Sequence, residues 1–205
     1  MLECYVMKRD RNVFILKVLI HLGALLPLMN LYYLAFKDKL GADPVEAVIH
    51  YTGIGALNLL LISLSVFPLA KISKQGYLLQ TRRVLGLYAY AYAVFHLLNF
   101  LAFEVQFDGG LFVSEVIKRP YITVGMLAFL LLTALAITSV NKLKRKMGKS
   151  WQKLHNLSYL IILLVTIHFY WSVKSELTSP LFYFAMAVAL LLFRYKKLKR
   201  LFLSN

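Results

Sequence analysis

GKSWQKLHNLSYLIILLVTIHFYW, residues 148–171, is the stretch that decides the fold. It is an apolar run of membrane-crossing length with a histidine near each end, His155 and His168. Ionisable side chains inside a membrane helix are rare and by default mark function. The step of thirteen residues from one to the other, at a rise of ~1.5 Å each, sets the two imidazoles roughly 20 Å apart in depth. At ~100° per residue the rings also point about 140° apart, so they serve different levels and do not face one shared ligand.

The rest of the chain agrees with a membrane setting. Of 205 residues, 60% are hydrophobic, and the mean hydropathy is +0.67. A soluble domain of this size has no use for so much apolar surface, whereas a multi-span bundle does. The net charge of +15 is gathered between apolar runs instead of along one face, which argues against nucleic acid and for membrane topology. The single cysteine, Cys4, leaves no partner for an intramolecular disulfide, and the sequence has no C-x-x-C-H for covalent heme attachment. The basic start (Lys8, Arg9, Arg11) followed by a long apolar run without a small-residue cleavage site is expected to be a retained helix.

Six spans are expected, at 13–36, 47–70, 84–103, 121–140, 154–173 and 178–195, each near the ~20 residues that cross ~30 Å of hydrocarbon. No internal repeat and no linker is evident, so residues 1–205 are read as a single all-α integral membrane domain, a six-transmembrane-helix bundle. One side collects Lys8, Arg9, Arg11, Lys71, Lys74, Arg82, Arg83, the basic run from Lys142 to Lys153, and Arg194, Lys196, Lys197, Lys199 and Arg200. The other carries nearly all the acids, among them Asp38, Asp43, Glu46, Glu104, Asp108, Glu115 and Glu176. The positive-inside bias then places both termini in the cytoplasm.

That orientation assigns depth. Spans three and five both run outward, which puts His96 and His168 at a similar level in the outer half. His155 falls near the cytoplasmic face, His21 in the inner half of span one, and His50 near the outer end of span two. Two histidines on parallel helices at one depth suit the axial positions of a porphyrin iron, which needs only two protein ligands. A bare zinc or copper ion wants three or four, and no carboxylate or thiol lies at that depth. Ala89 and Ala93 share the face of His96 and leave room for a macrocycle edge. The plainer alternative is two polar residues, each hydrogen-bonded between helices. His155, flanked by Lys153 and Asn156, is either a second site or an interfacial residue near the headgroups, and His21 carries a weaker signal. Arg82 and Arg83, at the start of span three, are either cytoplasmic anchors or contacts to a propionate, a flavin phosphate or a quinone headgroup. The sequence has no P-loop and no dinucleotide fingerprint, so electrons would come from a lipid-soluble donor or from another protein. From other classes, a small transporter with a histidine proton relay and a structural anchor for a soluble partner remain as alternatives.

The runs LGADPVEAVIHYTG (40–53), TRRVLGL (81–87), KRPYITVG (118–125), GKSWQKLHNLSYL (148–160), HFYWSVK (168–174) and RYKKL (194–198) resemble those of the MsrQ family, formerly YedZ. That family comprises heme-binding membrane subunits of the bacterial system that repairs methionine sulfoxide in periplasmic proteins, within the ferric-reductase-like transmembrane group. The resemblance implies b-type heme, one or two per chain, with His96 and His168 as the outer axial pair and His155 as the inner histidine of span five. The inner position of span three falls at Arg82–Arg83 with no histidine, so His155 would need another partner, with His21 the candidate. The resemblance further implies FMN, the quinone pool or a cytoplasmic flavin reductase as donor, a periplasmic molybdenum-cofactor methionine sulfoxide reductase as acceptor, and the bacterial inner membrane as the location.

Overall fold

The computed structural model describes the backbone of residues 2–173 and 177–195, and side chains from residue 10 onward. The side chains of Cys4, Lys8 and Arg9, the loop residues Lys174 and Glu176, and the basic residues Lys196, Lys197, Lys199 and Arg200 lie outside the described residues. Among the described residues the chain is helices and turns, with no strand. Five helical stretches are long and apolar enough to cross a membrane: Asp10–Phe36, Pro44–Ile72, Gly76–Glu104, Pro120–Ile137 and Lys149–Ser172. The sixth expected span is a shorter apolar helix of 16 residues, Thr178–Phe193. At ~1.5 Å per residue it reaches about 24 Å, less than a ~30 Å hydrocarbon layer. The chain divides into two compact units, Met1–Phe107 and Asp108–Asn205.

The first unit holds α1 (Leu2–Phe36), α2 (Pro44–Ile72), a 3₁₀ turn (Gly76–Thr81) and α3 (Arg82–Asn99), which continues into a π-helical turn at Phe100–Glu104. Helix α2 starts where Pro44 occupies the first turn and the Asp43 carboxylate accepts from the Glu46 N–H at 2.8 Å, satisfying an orphan donor. Its apolar residues Leu57, Leu60, Leu61 and Leu64 are buried, as are Leu85, Ala89 and Tyr92 of α3. Helix α1 joins through Ala24 and Leu28, and the Tyr92 hydroxyl donates to the Ala24 carbonyl at 2.6 Å. The other side of α1 exposes Phe14, Leu22 and Met29, as a helix facing lipid does.

The second unit holds α4 (Gly109–Lys118), α5 (Pro120–Ile137), α6 (Asn141–Met147), α7 (Lys149–His155), α8 (Ser158–Ser172) and α9 (Thr178–Phe193). Helix α4 was not expected from the sequence, because two glycines at its start hide it. It forms on a cap, the Asp108 carboxylate accepting from the Leu111 N–H at 2.9 Å. Helix α5 stops at Ile137, earlier than the expected 140, with Thr138 as its cap. The basic run that reads as a loop forms α6 and α7. Gly148, at φ 53°, makes the bend between them in a region of backbone space that costs a side chain dearly. The stretch 148–171 is therefore not one uniform helix: it tightens at Asn156 and Leu157, where the Leu157 N–H bonds to the Leu154 carbonyl at 2.9 Å. Beyond that turn, Ile161, Ile162 and Thr166 of α8 are fully buried. Arg194, just past α9, is buried and donates to the Tyr159 hydroxyl of α8.

Each unit contains the same local scheme: a long apolar helix, a short helical connector opened by a glycine, and a helix that carries a histidine. Gly76 and Gly148 each precede their histidine, His96 and His168, by twenty residues. The correspondence lies in backbone geometry and spacing, and few side chains share it.

Candidate functional site

His96 stands near the C-terminal end of α3, facing α2. Its Nδ1 lies 2.9 Å from the Ile49 carbonyl oxygen. His168 stands in the last turns of α8, facing α5, with Nδ1 2.7 Å from the Tyr121 carbonyl oxygen. In both cases the histidine follows its carbonyl by 47 residues. A carbonyl only accepts, so Nδ1 carries the proton in each ring, and the lone pair of the neutral imidazole is on Nε2. Both histidines are thus held in the tautomer and orientation of a metal-ligating imidazole, whose other nitrogen normally donates to a carbonyl or carboxylate.

The helices that receive these rings have the local sequence to admit them. Four residues past Ile49 is Gly53, and four past Tyr121 is Gly125. In a helix the carbonyl of residue i points at residue i+4, so a ring reaching it from the side passes over the i+4 side chain. A Cβ at Gly53 would come to 3.0 Å from Nδ1 and Cε1 of His96. A Cβ at Gly125 would come to 2.7 Å from Nδ1 and 2.8 Å from Cε1 of His168. These glycines escape a reading that looks only for ligands. The available signal was spacing, because each precedes its histidine by 43 residues.

Around His96 the contacts continue. One turn before it, the Tyr92 ring packs on Gly55. Three residues after it, Asn99 donates to the Thr52 hydroxyl at 3.4 Å and accepts from the Tyr32 hydroxyl at 3.0 Å, joining α1, α2 and α3. Of the two alanines expected to leave room for a macrocycle, Ala89 is buried (1% exposed) and Ala93 is half-buried. Ala89 thus contributes to the packing of the first unit.

His155 ends α7, its ring stacked on Trp151 at 4.0 Å between centroids. Its Nε2 lies 3.1 Å from the Thr138 hydroxyl oxygen. That hydroxyl spends its one proton on the Ala134 carbonyl at 2.7 Å, so His155 Nε2 is the donor. Trp151 Nε1 adds a bond to the Thr138 carbonyl at 2.8 Å. Together the two rings brace the C-terminal cap of α5, and Nε2 carries a proton where a ligand would carry a lone pair. The two histidines of the second unit therefore dock at opposite ends of α5, His168 at Tyr121 and His155 at Thr138.

In the first unit His21 meets the Tyr88 hydroxyl at 2.5 Å, two turns of α3 before His96, so the structure does not bring these two histidines together. Arg82 opens α3 and is tied to α2: its Nε donates to the Ser63 carbonyl at 3.3 Å, and the Ser63 hydroxyl donates to the Arg82 carbonyl at 3.2 Å. Arg83 is exposed, and it precedes His96 by thirteen residues, as His155 precedes His168. His50 lies in the second turn of α2, beyond the cap position held by Asp43. There it lines a cavity of about 520 Å³ with Gly23, Pro27, Tyr51, Asn58 and Tyr92. Among the described residues no three His, Cys, Asp or Glu side chains are grouped as they would be around a bare metal ion.

A family model described as ferric reductase like transmembrane component matches residues 51–166. The matched stretch takes in Gly53, Arg82, Arg83, His96, Gly125 and His155 and stops two residues short of His168. No solved structure matches the chain.

Proposed function

The chain belongs to the ferric-reductase-like transmembrane family, and from that premise we propose that it is a membrane electron-transfer subunit that works with heme b. The observation that carries this reading is the like treatment of two imidazoles, His96 on the Ile49 carbonyl and His168 on the Tyr121 carbonyl. Each has its lone pair on Nε2 and its Nδ1 proton on a backbone acceptor, a bond that fixes the ring and raises its basicity as a ligand. The donor set fits a porphyrin iron: two neutral nitrogen ligands and, among the described residues, no grouping of three or four side chains. When bound, heme supplies a one-electron couple at the iron. In this proposal His96 and His168 are the residues that would hold the iron through Nε2, and two protein nitrogens on the metal would suit electron transfer rather than binding of substrate there.

His155 serves here as a brace for α5, since its Nε2 donates to Thr138. A second heme on His155 would require that bond to break or Nδ1 to ligate. His21 is held by Tyr88 and supports α1 against α3. Arg83 is the candidate contact to a propionate, flavin phosphate or quinone headgroup.

The motif resemblance supports a finer proposal. The chain acts in the bacterial inner membrane as an MsrQ-like subunit, with six spans and both termini cytoplasmic. It takes electrons from the quinone pool or a flavin reductase, through FMN where that cofactor is present. It passes them to a periplasmic molybdenum-cofactor methionine sulfoxide reductase.

Purification from membranes tests the core of this. A reducible low-spin b-type spectrum, with about one heme per chain by pyridine hemochrome, is expected. A colourless, membrane-inserted protein would sink the electron-transfer reading and favour the histidine proton relay. For topology, a periplasm-dependent reporter is expected to be silent after Asn205 and active when inserted near Gly109. The opposite pattern would reverse every depth assignment.

A further inference from the structure

We propose that Gly53 and Gly125 are positioning residues for His96 and His168: each removes the one side chain that would keep the imidazole from the carbonyl that holds it. The inference rests on the heme reading for its spectral readout, while the geometry belongs to the chain alone. Two observations carry it. The first is clearance. A Cβ at Gly125 would stand 2.7 Å from His168 Nδ1 and 3.3 Å from Cγ, and one at Gly53 would stand 3.0 Å from His96 Nδ1. Below 3.0 Å, as at Gly125, something must shift, and at 3.0 Å, as at Gly53, the ring must give by a few tenths of an ångström; a ring anchored through its own helix does so only by turning about χ1 and χ2 or by pushing the helices apart. The second is recurrence. The carbonyl at i, glycine at i+4 and histidine at i+47 occur in both units, although little else around them is shared.

The atom that would be crowded is the donor itself. Adding a methyl group therefore strikes at the hydrogen bond that sets tautomer and ring angle, without touching Nε2. A displaced ring presents Nε2 in another direction and loses the carbonyl as partner. Both changes act on a ligand's orientation and basicity, so they reach the metal through the histidine.

Clearance also ranks the two sites. Gly125 has the tighter approach and the shorter bond (2.7 against 2.9 Å), so it tolerates a methyl group less well than Gly53. Gly23 and Gly86 serve as controls, because a Cβ meets nothing within 4 Å at the first and an ordinary contact of 3.9 Å at the second. Gly→Ala inside a helix otherwise favours the fold by up to ~1 kcal/mol, so a loss at the two cradle positions runs against the general trend.

The experiment compares Gly125→Ala, Gly53→Ala, Gly23→Ala and Gly86→Ala in the full chain purified from membranes. It reads protein yield, heme-to-protein ratio, the low-spin EPR g values, and ¹⁵N shifts of labelled histidine in protein made without heme. The expected result is loss or conversion of the low-spin signal in Gly125→Ala. Gly53→Ala keeps its heme with displaced g values, and both controls stay at wild type. In the heme-free protein, the Nδ1–H signals of His96 and His168 are expected to shift in the matching glycine variant only. Should Gly125→Ala not accumulate, Gly53→Ala carries the test. Wild-type g values and ¹⁵N shifts in both cradle variants would overturn the proposal. A heme-free wild type would instead overturn the functional reading, and the ¹⁵N shifts would still decide the cradles.

Discussion

The α2–α3 hairpin and the α5–α8 hairpin hold a histidine in the same way with almost unrelated surroundings. At the His96 cradle, Thr52 precedes the glycine and Asn99 lies three residues past the histidine, and these two side chains hydrogen-bond. At the same register in the other hairpin stand Val124 and Trp171, which cannot make that bond. Thirteen residues before the histidine, one hairpin has Arg83 and the other His155. What the two keep is a carbonyl, a glycine and an imidazole. The lesson is that the requirement is geometric: a backbone acceptor exposed by the loss of one Cβ, and a ring long enough to reach it.

The largest effects should come from the shared elements. If the proposed function holds, His96→Ala and His168→Ala each abolish or convert the low-spin heme signal and stop electron transfer to the proposed periplasmic reductase. Absorption spectra of the purified variants read this directly. A full low-spin spectrum with normal turnover in either variant would break the equivalence of the two hairpins and with it the axial pairing.

Next in size is a feature that only the first hairpin has. Asn99→Leu removes the Tyr32 and Thr52 bonds together. Interhelical hydrogen bonds in membranes average ~0.6 kcal/mol and reach ~1.7, so a loss of roughly 1–2 kcal/mol is expected in denaturant unfolding of the purified protein. Trp171→Leu, at the matching register, removes no such bond, and an equal loss there would show that the two surroundings are more alike than their side chains suggest.

The contrast between Arg83 and His155 gives a smaller effect. His155→Ala is expected to leave the heme-to-protein ratio and the low-spin spectrum unchanged, and to cost about 1 kcal/mol through the lost bond to Thr138. A fall in that ratio would make His155 a ligand of a second heme and give the second hairpin a site that the first lacks. The smallest effect is expected at the surface. Glu115 and Arg119 pair at 2.6 Å but are partly exposed. Glu115→Gln should therefore change stability by less than ~1 kcal/mol and leave the spectrum intact, since exposed ion pairs are worth little. A spectral change in Glu115→Gln would mean that α4 influences the histidine of the second hairpin.

Much of this protein was legible from residue order. The membrane setting follows from long apolar runs, because each stretch must bury its backbone polar groups in a helix to lie in hydrocarbon. Four of the six expected spans begin within three residues of a helix in the structure: Pro44–Ile72, Arg82–Asn99, Pro120–Ile137 and Thr178–Phe193. His96 and His168 were singled out by hydropathy together with the charge bias of the loops, which sets both at one depth on parallel spans. Less legible were the short helices. Glycines hide the start of α4, and a dense basic run looks like a loop until Gly148 and the Trp151–Lys144 contact at 4.7 Å shape it into α6 and α7.

Sequence by itself therefore marked the long apolar segments and the titratable rings that lie within them, because both follow from the cost of moving side chains out of water. Tertiary structure alone decided how each imidazole is used. Whether Nε2 bears a lone pair, as in His96 and His168, or a proton, as in His155, depends on what stands opposite the ring. That partner is a carbonyl or a hydroxyl on another helix, 47 residues away for His96 and His168 and 17 for His155. No local pattern carries that information, because the acceptors at Ile49 and Tyr121 are backbone atoms present at every residue, and only helix packing over a missing Cβ selects them.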